Sequence, residues 1–168
     1  MSEICDWDDL VERDGLYCKK LTDVPFTGEV TGEEQGALKN GKKDGPWIYY
    51  DENGQLGGEG TYKDGKLYGP TVEYHDNGRL QWEGTYKNGK RDGPWVRYHD
   101  NGQLSSKRTY KNGEKDGPWV GYWSNGQLFY KGIYKNGKKD GLWVRYTKDG
   151  IVDEQYTGTY KDGVRISD

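Results

Sequence analysis

Asp92-Gly93-Pro94-Trp95-Val96-Arg97-Tyr98-His99-Asp100-Asn101-Gly102-Gln103-Leu104-Ser105-Ser106-Lys107-Arg108-Thr109-Tyr110-Lys111-Asn112-Gly113-Glu114-Lys115 is one unit of a repeat, and its reading decides the fold. Trp95-Val96-Arg97-Tyr98 is a short aromatic and β-branched run, the composition of a strand. Asn101-Gly102 reads as a two-residue hairpin, because both central residues of a type I′ turn need positive φ. Gln103 to Lys111 returns as a second strand. Asn112-Gly113 opens a second turn and Asp116-Gly117 closes it. Pro118 then opens the next strand, where a missing N–H costs least.

The unit recurs every 24 residues. Asp-Gly-Pro-Trp stands at Asp44–Trp47, Asp92–Trp95 and Asp116–Trp119, and Asp-Gly-Leu-Trp at Asp140–Trp143. Tyr50, Tyr74, Tyr98, Tyr122 and Tyr146 keep the same step, as do Leu56, Leu80, Leu104 and Leu128. Three departures stand out. Thr71 replaces Trp, Arg108 replaces the glycine of positions 60, 84 and 132, and the last unit gains two residues between Gly150 and Gly158. No window keeps a 3.6-residue period. The expected fold is therefore all-β, an elongated single-layer antiparallel array of about five β-hairpin repeats. Residues 1–43 form a degenerate N-terminal capping region and 44–168 the array. A short helix through Ile4, Trp7 and Val11 is expected in the cap. Alternation along the strands places the Val/Tyr side of one strand against the Leu/Tyr side of its neighbour. The return-strand glycine makes room for a ring.

Composition agrees with a thin structure. Hydrophobic residues are 31% of the 168, against 15 Tyr and 7 Trp. Tyr and Trp suit half-buried surfaces, because each carries an apolar body and a polar tip. The formal charge is −3. No apolar run reaches the length of a membrane span, and Met1 to Leu10 is acidic without an h-region. Cys5 and Cys18 are too few for a disulfide framework. These features lead to an expected cytoplasmic location.

The unit Gly-x-Trp-x-x-Tyr-x-x-Asn-Gly-x-Leu, followed by Gly-x-Tyr-x-x-Gly, resembles the MORN repeat, and most closely its bacterial variant form. Leu10-Val11-Glu12-Arg13-Asp14-Gly15-Leu16-Tyr17 and Pro25-Phe26-Thr27-Gly28 resemble the opening of bacterial MORN-variant antitoxins of toxin–antitoxin systems. The resemblance implies a binding role: a protein partner such as a cognate toxin, or alternatively anionic phospholipid, a scaffold, or self-association.

Catalytic patterns dissolve into the period. Gly60–Lys66, Gly84–Lys90 and Gly132–Lys138 match a phosphate-loop string but lack the following Ser or Thr and the helix. His75 and His99 share one repeat slot with Trp123 and Thr147, and read as solvent-facing turn residues rather than catalysts or metal ligands. Asp44, Asp92, Asp116 and Asp140 precede Gly as turn formers. No catalytic residue, metal or cofactor is expected, and no nucleic acid is expected on a chain of net negative charge.

The candidate sites are surfaces. Lys63, Lys66, Lys87, Lys90, Lys111, Lys135 and Lys138 mark a basic edge built from stacked turns. Lys43, Arg91, Lys115 and Lys139 read as a third row of it. Trp47, Trp95, Trp119 and Trp143 form a ladder on one face and read first as repeat core. Trp82, Trp123 and Tyr130 are additions that the period does not demand, and Arg97, Arg108 and Arg145 join them as candidate partner contacts, since such residues are enriched at interface hot spots.

Overall fold

The structure is a computed structural model that describes residues 2–167. Its chain divides into two compact units. One holds the residues up to Gly78 with Tyr86–Gly89; the other holds Arg79–Thr85 with the residues from Lys90 onward.

In the first unit, β1 (Ile4–Asp6) leads to a hairpin of β2 (Leu10–Arg13) and β3 (Leu16–Lys19). The ladder β4 (Gly28–Thr31), β5 (Glu34–Lys39), β6 (Lys42–Tyr50), β7 (Leu56–Lys63) and β8 (Lys66–Tyr74) follows, each strand antiparallel to the next. β1 covers the edge of β4 in parallel, with Cys5 opposite Val30. The β2–β3 hairpin is a separate two-stranded sheet. The expected N-terminal helix is instead a single 3₁₀ turn, Trp7–Asp9. Asp6 caps it by accepting from the Asp8 N–H, and Leu10 leaves in extended conformation. Cys5, Leu10, Phe26, Val30, Leu38 and Trp47 form a buried core, with Trp7, Tyr17, Tyr49 and Tyr62 packed against it. Both cysteines are free and buried.

In the second unit, β9 (Leu80–Lys87, of which Leu80–Thr85 belong here), short β10 (Lys90–Arg91), β11 (Gly93–Tyr98), β12 (Leu104–Lys111), β13 (Glu114–Tyr122), β14 (Leu128–Lys135), β15 (Lys138–Arg145), β16 (Gly158–Lys161) and β17 (Val164–Ser167) follow in chain order. From β11 onward each strand pairs antiparallel with the next. The chain is an all-β hairpin repeat, with no α-helix among the described residues.

The two turns of the unit exchange roles relative to expectation. The tight two-residue turn is Asn112-Gly113, with φ of 52° and 91° and Lys111 paired with Glu114. Asn40, Asp64, Asn88, Asn136 and Asp162 repeat its positive φ. At Asn101-Gly102 only the glycine is left-handed, at φ 84°. There Gly102 N–H donates to His99 O and His99 N–H to Gln103 O, a three-residue loop closed by a bulged glycine. Asp-Gly-Pro is not a turn either. Asp116, Gly117 and Pro118 lie inside β13, where the register with β12 shifts between Arg108 and Tyr110. A bulge leaves backbone groups outside the ladder, so proline's missing N–H is tolerated there.

The face pairing also differs from expectation. Trp47 lies opposite Gly36 and Gly60, and Tyr49 opposite Gly58. The Trp side of one strand thus shares its face with the Leu/Gly/Tyr side of the next, because directly paired residues of antiparallel strands point the same way. The glycines are there for the indoles. A Cβ on Gly36, Gly84 or Gly132 would sit 2.6, 2.3 or 2.2 Å from the ring of Trp47, Trp95 or Trp143. Each of these indole N–H groups donates to the carbonyl of the residue after its glycine: Ala37, Thr85 and Ile133. Gly60 is different, because Thr71 stands in the Trp slot. Thr71 donates to Glu59 O at 2.9 Å, and Leu67 fills the remaining space.

Gly84→Ala and Gly132→Ala should each cost ~1–3 kcal/mol through overpacking against an indole. Gly60→Ala, facing only the methyl of Leu67 and the hydroxyl of Thr71, should stay within ~1 kcal/mol of the parent. Urea unfolding of the three variants checks this; equal losses at all three positions would refute the indole-on-glycine account.

Candidate functional site

A cation lies over each indole of the ladder. Lys43, expected on the basic rim, is buried with 9% of its surface exposed. Its ammonium sits 4.3 Å from the Trp47 ring centroid, 4.8 Å from those of Trp7 and Tyr49, and 5.4 Å from that of Tyr62. Glu34 accepts a hydrogen bond from the Lys43 ammonium. Arg91 lies over Trp95 and Tyr110 at 4.5 and 5.4 Å, Lys115 over Trp119 and Tyr134 at 5.0 and 4.8 Å, and Lys139 over Trp143 and Tyr160 at 4.5 and 4.7 Å. This third basic row therefore belongs to the aromatic face rather than the edge. Lys115 stands four residues before Trp119, an even step that puts both on one face, and the bulge sets that step against the two-residue step from Tyr110 to Arg108. Where Thr71 replaces the indole, Leu67 replaces the cation.

Trp47, Trp95, Trp119 and Trp143 are buried, at 0–6% exposure, as a repeat core requires. Arg108, in the glycine slot, lays its guanidinium 5.0 Å from the Trp119 ring. Its Nε and the Ser106 hydroxyl beside it are buried polar atoms without hydrogen-bond partners. Next to the ladder runs a row that varies from unit to unit: Trp82 opposite Arg97, Arg97 opposite Ser106, Ser106 opposite Gly121, Gly121 opposite Tyr130, and Tyr130 opposite Arg145. The structure thus brings Trp82, Arg97, Arg108, Tyr130 and Arg145 onto one face with the ladder. Tyr130 lies flat on Gly121, and Trp82 stacks 5.0 Å from Trp95.

Trp123 stands apart, at the three-residue loops. Its indole donates to Tyr146 O, and His99, in the same slot, contacts Tyr122 O through Nε2 at 3.0 Å. The half-buried His99 is therefore a link between consecutive hairpins rather than a solvent-facing residue, and Trp123 does the same work with an added contact to Phe129 at 4.0 Å. The sequence shows this slot only as a mixture of His, Trp and Thr. What His99 and Trp123 share, a side chain aimed at the next hairpin's backbone, becomes visible only in three dimensions.

The remaining lysines keep to the tight turns. Lys63, Lys66 and Lys87 meet Lys42 around a cavity of about 620 Å³ in the first unit. Lys90, Lys111, Lys135 and Lys138 are exposed in the second. Stems of the second-turn lysines support the next turn. Gly65 rests on Lys42, Gly113 on Lys90 and Gly163 on Lys138. Among the described residues no cluster of His, Cys, Asp and Glu could hold a metal ion, and no helix is long and apolar enough to cross a membrane.

Tandem hairpins with a recurring indole, glycine and cation in each unit define a repeat protein of the binding class. Residues 43–64, 67–88, 91–112 and 115–136 match the family model of the MORN repeat variant, together more than half of the chain, and the chain belongs to that family. A search of curated proteins finds no match to it. Repeats of this family mediate binding to proteins or membranes and are typically non-catalytic.

Burial and the Tyr49–Tyr62 hydrogen bond of 2.7 Å push the Tyr49 hydroxyl far above the ordinary tyrosine range, and burial raises Tyr62 as well. An unfolded tyrosine ionises near pH ~10, while the fold holds both hydroxyls protonated to higher pH. Their contribution is complete below ~pH 10 and declines above it. Tyr49→Phe should therefore lower stability near neutrality by ~1 kcal/mol and flatten the alkaline decline. Thermal melts from neutral to strongly alkaline pH measure both; a variant with the parent's alkaline slope would sink the assignment.

Proposed function

We propose that this protein is a non-catalytic, cytoplasmic protein-binding module that acts as an antitoxin or immunity protein, neutralising a toxin by covering it. The observation that carries the binding reading is an asymmetry of cover. In the first unit the β2–β3 hairpin and its flanking turn lay Trp7 and Tyr17 over the Trp47 cage. In the second unit the cages at Trp119 and Trp143 carry no such layer among the described residues, and their face holds Arg97, Tyr130 and Arg145 beside them. Aromatic and arginine side chains on a rigid strand surface are what interface hot spots are made of. The toxin-directed form of the reading rests on the resemblance of the opening Leu10–Tyr17 and Pro25–Gly28 to antitoxin-like relatives.

Co-expression with the product of the adjacent gene tests it. A stable complex and relief of growth arrest are expected; absence of both defeats the reading. A second reading, binding to anionic phospholipid, is favoured by the lysine-lined cavity at Lys42, Lys63, Lys66 and Lys87. It predicts sedimentation with phosphatidylglycerol vesicles that fades as salt rises, and no sedimentation at low salt would dismiss it.

A further inference from the structure

The first unit contains a template for what the second one lacks. Lys139, Trp143, Arg145 and Tyr130 stand four 24-residue periods after Lys43, Trp47, Tyr49 and Glu34. Tyr160 takes the place of Tyr62, displaced by the two inserted residues. Around Lys43 the site is complete. Indole and phenol rings surround the ammonium, the Glu34 carboxylate pairs with it, and Trp7 and Tyr17 close the top. Around Lys139 the cage walls are present, but Tyr130 stands where the carboxylate would be, and among the described residues nothing corresponds to Trp7 and Tyr17. An open cavity of about 310 Å³ occupies that space, walled by Tyr130, Trp143, Tyr156 and Tyr160 with Lys139 and Arg145. Its volume falls at the lower end of ligand-binding pockets.

The charge on this face is one-sided. The strand positions that share it in the second unit carry Arg91, Arg97, Arg108, Lys115, Lys139 and Arg145, and no Asp or Glu. One carboxylate reaches it from the connection before β16: Asp153, 3.6 Å from Arg145. Burial and the neighbouring Lys115 hold the Lys139 ammonium below the ordinary lysine range, as expected for a cation without a counter-charge. The unpartnered Nε of Arg108, over the Trp119 ring that also borders the cavity, is a second donor without an acceptor.

We propose that this cavity receives an aromatic side chain with an adjacent carboxylate from a protein partner, the ring entering among Tyr130, Trp143 and Tyr156 and the carboxylate pairing with Lys139. The inference rests on the protein-binding reading above and specifies the chemistry of the partner's anchor. An acidic, aromatic segment supplies from outside what Glu34, Trp7 and Tyr17 supply from inside in the first unit. Tyr156, half-exposed and stacked 4.3 Å from the Arg145 guanidinium, is brought to the rim by the insertion peculiar to this unit.

The test uses the full chain and two capped synthetic peptides, Gly-Glu-Trp-Glu-Gly-Glu-Tyr-Glu-Gly and the same sequence with Gln for every Glu. Titration is followed by the NMR indole N–H signal of Trp143. The Glu peptide is expected to bind at least about tenfold more tightly, the factor that one charge-assisted contact supports. Lys139→Met keeps the stem over Trp143 and should bring the two peptides to within about twofold of each other. Tyr156→Ala, outside the regular strands, should weaken both peptides and leave the fold intact by circular dichroism. Lys131→Glu, on the opposite face, should change nothing. Equal affinity for the two peptides, binding of neither at millimolar concentration, or a charge preference that survives Lys139→Met in a folded protein each overturns the site. So does binding of phosphatidylglycerol vesicles, without peptide, that depends on Lys139. If a toxin partner binds wild type and Lys139→Met equally well, the protein-binding reading stands and this site is wrong. If the Glu peptide binds as expected but no toxin partner is captured, the site stands and the toxin reading falls.

Discussion

An indole ring lying flat on a glycine, with a cation above it, is the interaction on which the rest of this structure depends. A single-layer sheet has no second layer to bury against, so its apolar contacts must come from within the sheet. A tryptophan can provide them only if the strand beside it has no side chain in the way. Gly36, Gly84 and Gly132 meet that condition, and the carbonyl after each takes the indole N–H. The exposed side of the ring is then closed by Lys43, Arg91, Lys115 or Lys139, whose aliphatic stem covers apolar surface while the charge sits on the π face. The Asp-Gly bulge lies between this cation and its indole, inside a four-residue step that leaves both on one face.

The departures are coordinated, which supports treating glycine, indole and cation as one assembly. Thr71 and Leu67 change together, and the pair closes over Gly60 without ring or charge. Arg108 takes the glycine position and contributes a guanidinium under Trp119 in place of an open floor. The two ends of the chain treat the ladder differently. The N-terminal segment folds back over the Trp47 cage and supplies its aromatic lid, with the carboxylate coming from Glu34 of β5, whereas the insertion before β16 adds only the rim residues Asp153 and Tyr156.

Most of the fold is legible in the sequence, because a 24-residue period with Gly, Trp, Tyr and Asn-Gly at fixed places leaves few alternatives to a hairpin array. The differences between expectation and structure have physical reasons. Both turns contain Asn-Gly, and sequence alone does not say whether asparagine or only glycine adopts positive φ; the pairing of Lys111 with Glu114 decides it. Asp-Gly-Pro has turn chemistry but serves as a bulge. Lys43, Arg91, Lys115 and Lys139 flank the turns and so read as rim, although each stands four residues before its indole, a step that alternation places on the aromatic face. The candidate surface residues Trp82, Arg97, Arg108, Tyr130 and Arg145 could be picked out as departures from the period. Their convergence on one face depends on cross-strand register, which no single strand encodes.

In three hairpins the variable row beside the ladder is sterically balanced. Tyr49 faces Gly58, Arg97 faces Ser106 and Gly121 faces Tyr130, so a large side chain on one strand is matched by a small one on its own hairpin partner. Each such hairpin carries its own steric complement. A gene segment encoding one of these units can be duplicated, deleted or exchanged without creating a clash inside it. The array can therefore change length and surface chemistry by recombination, with new recognition surfaces arising from the order in which balanced modules are strung together.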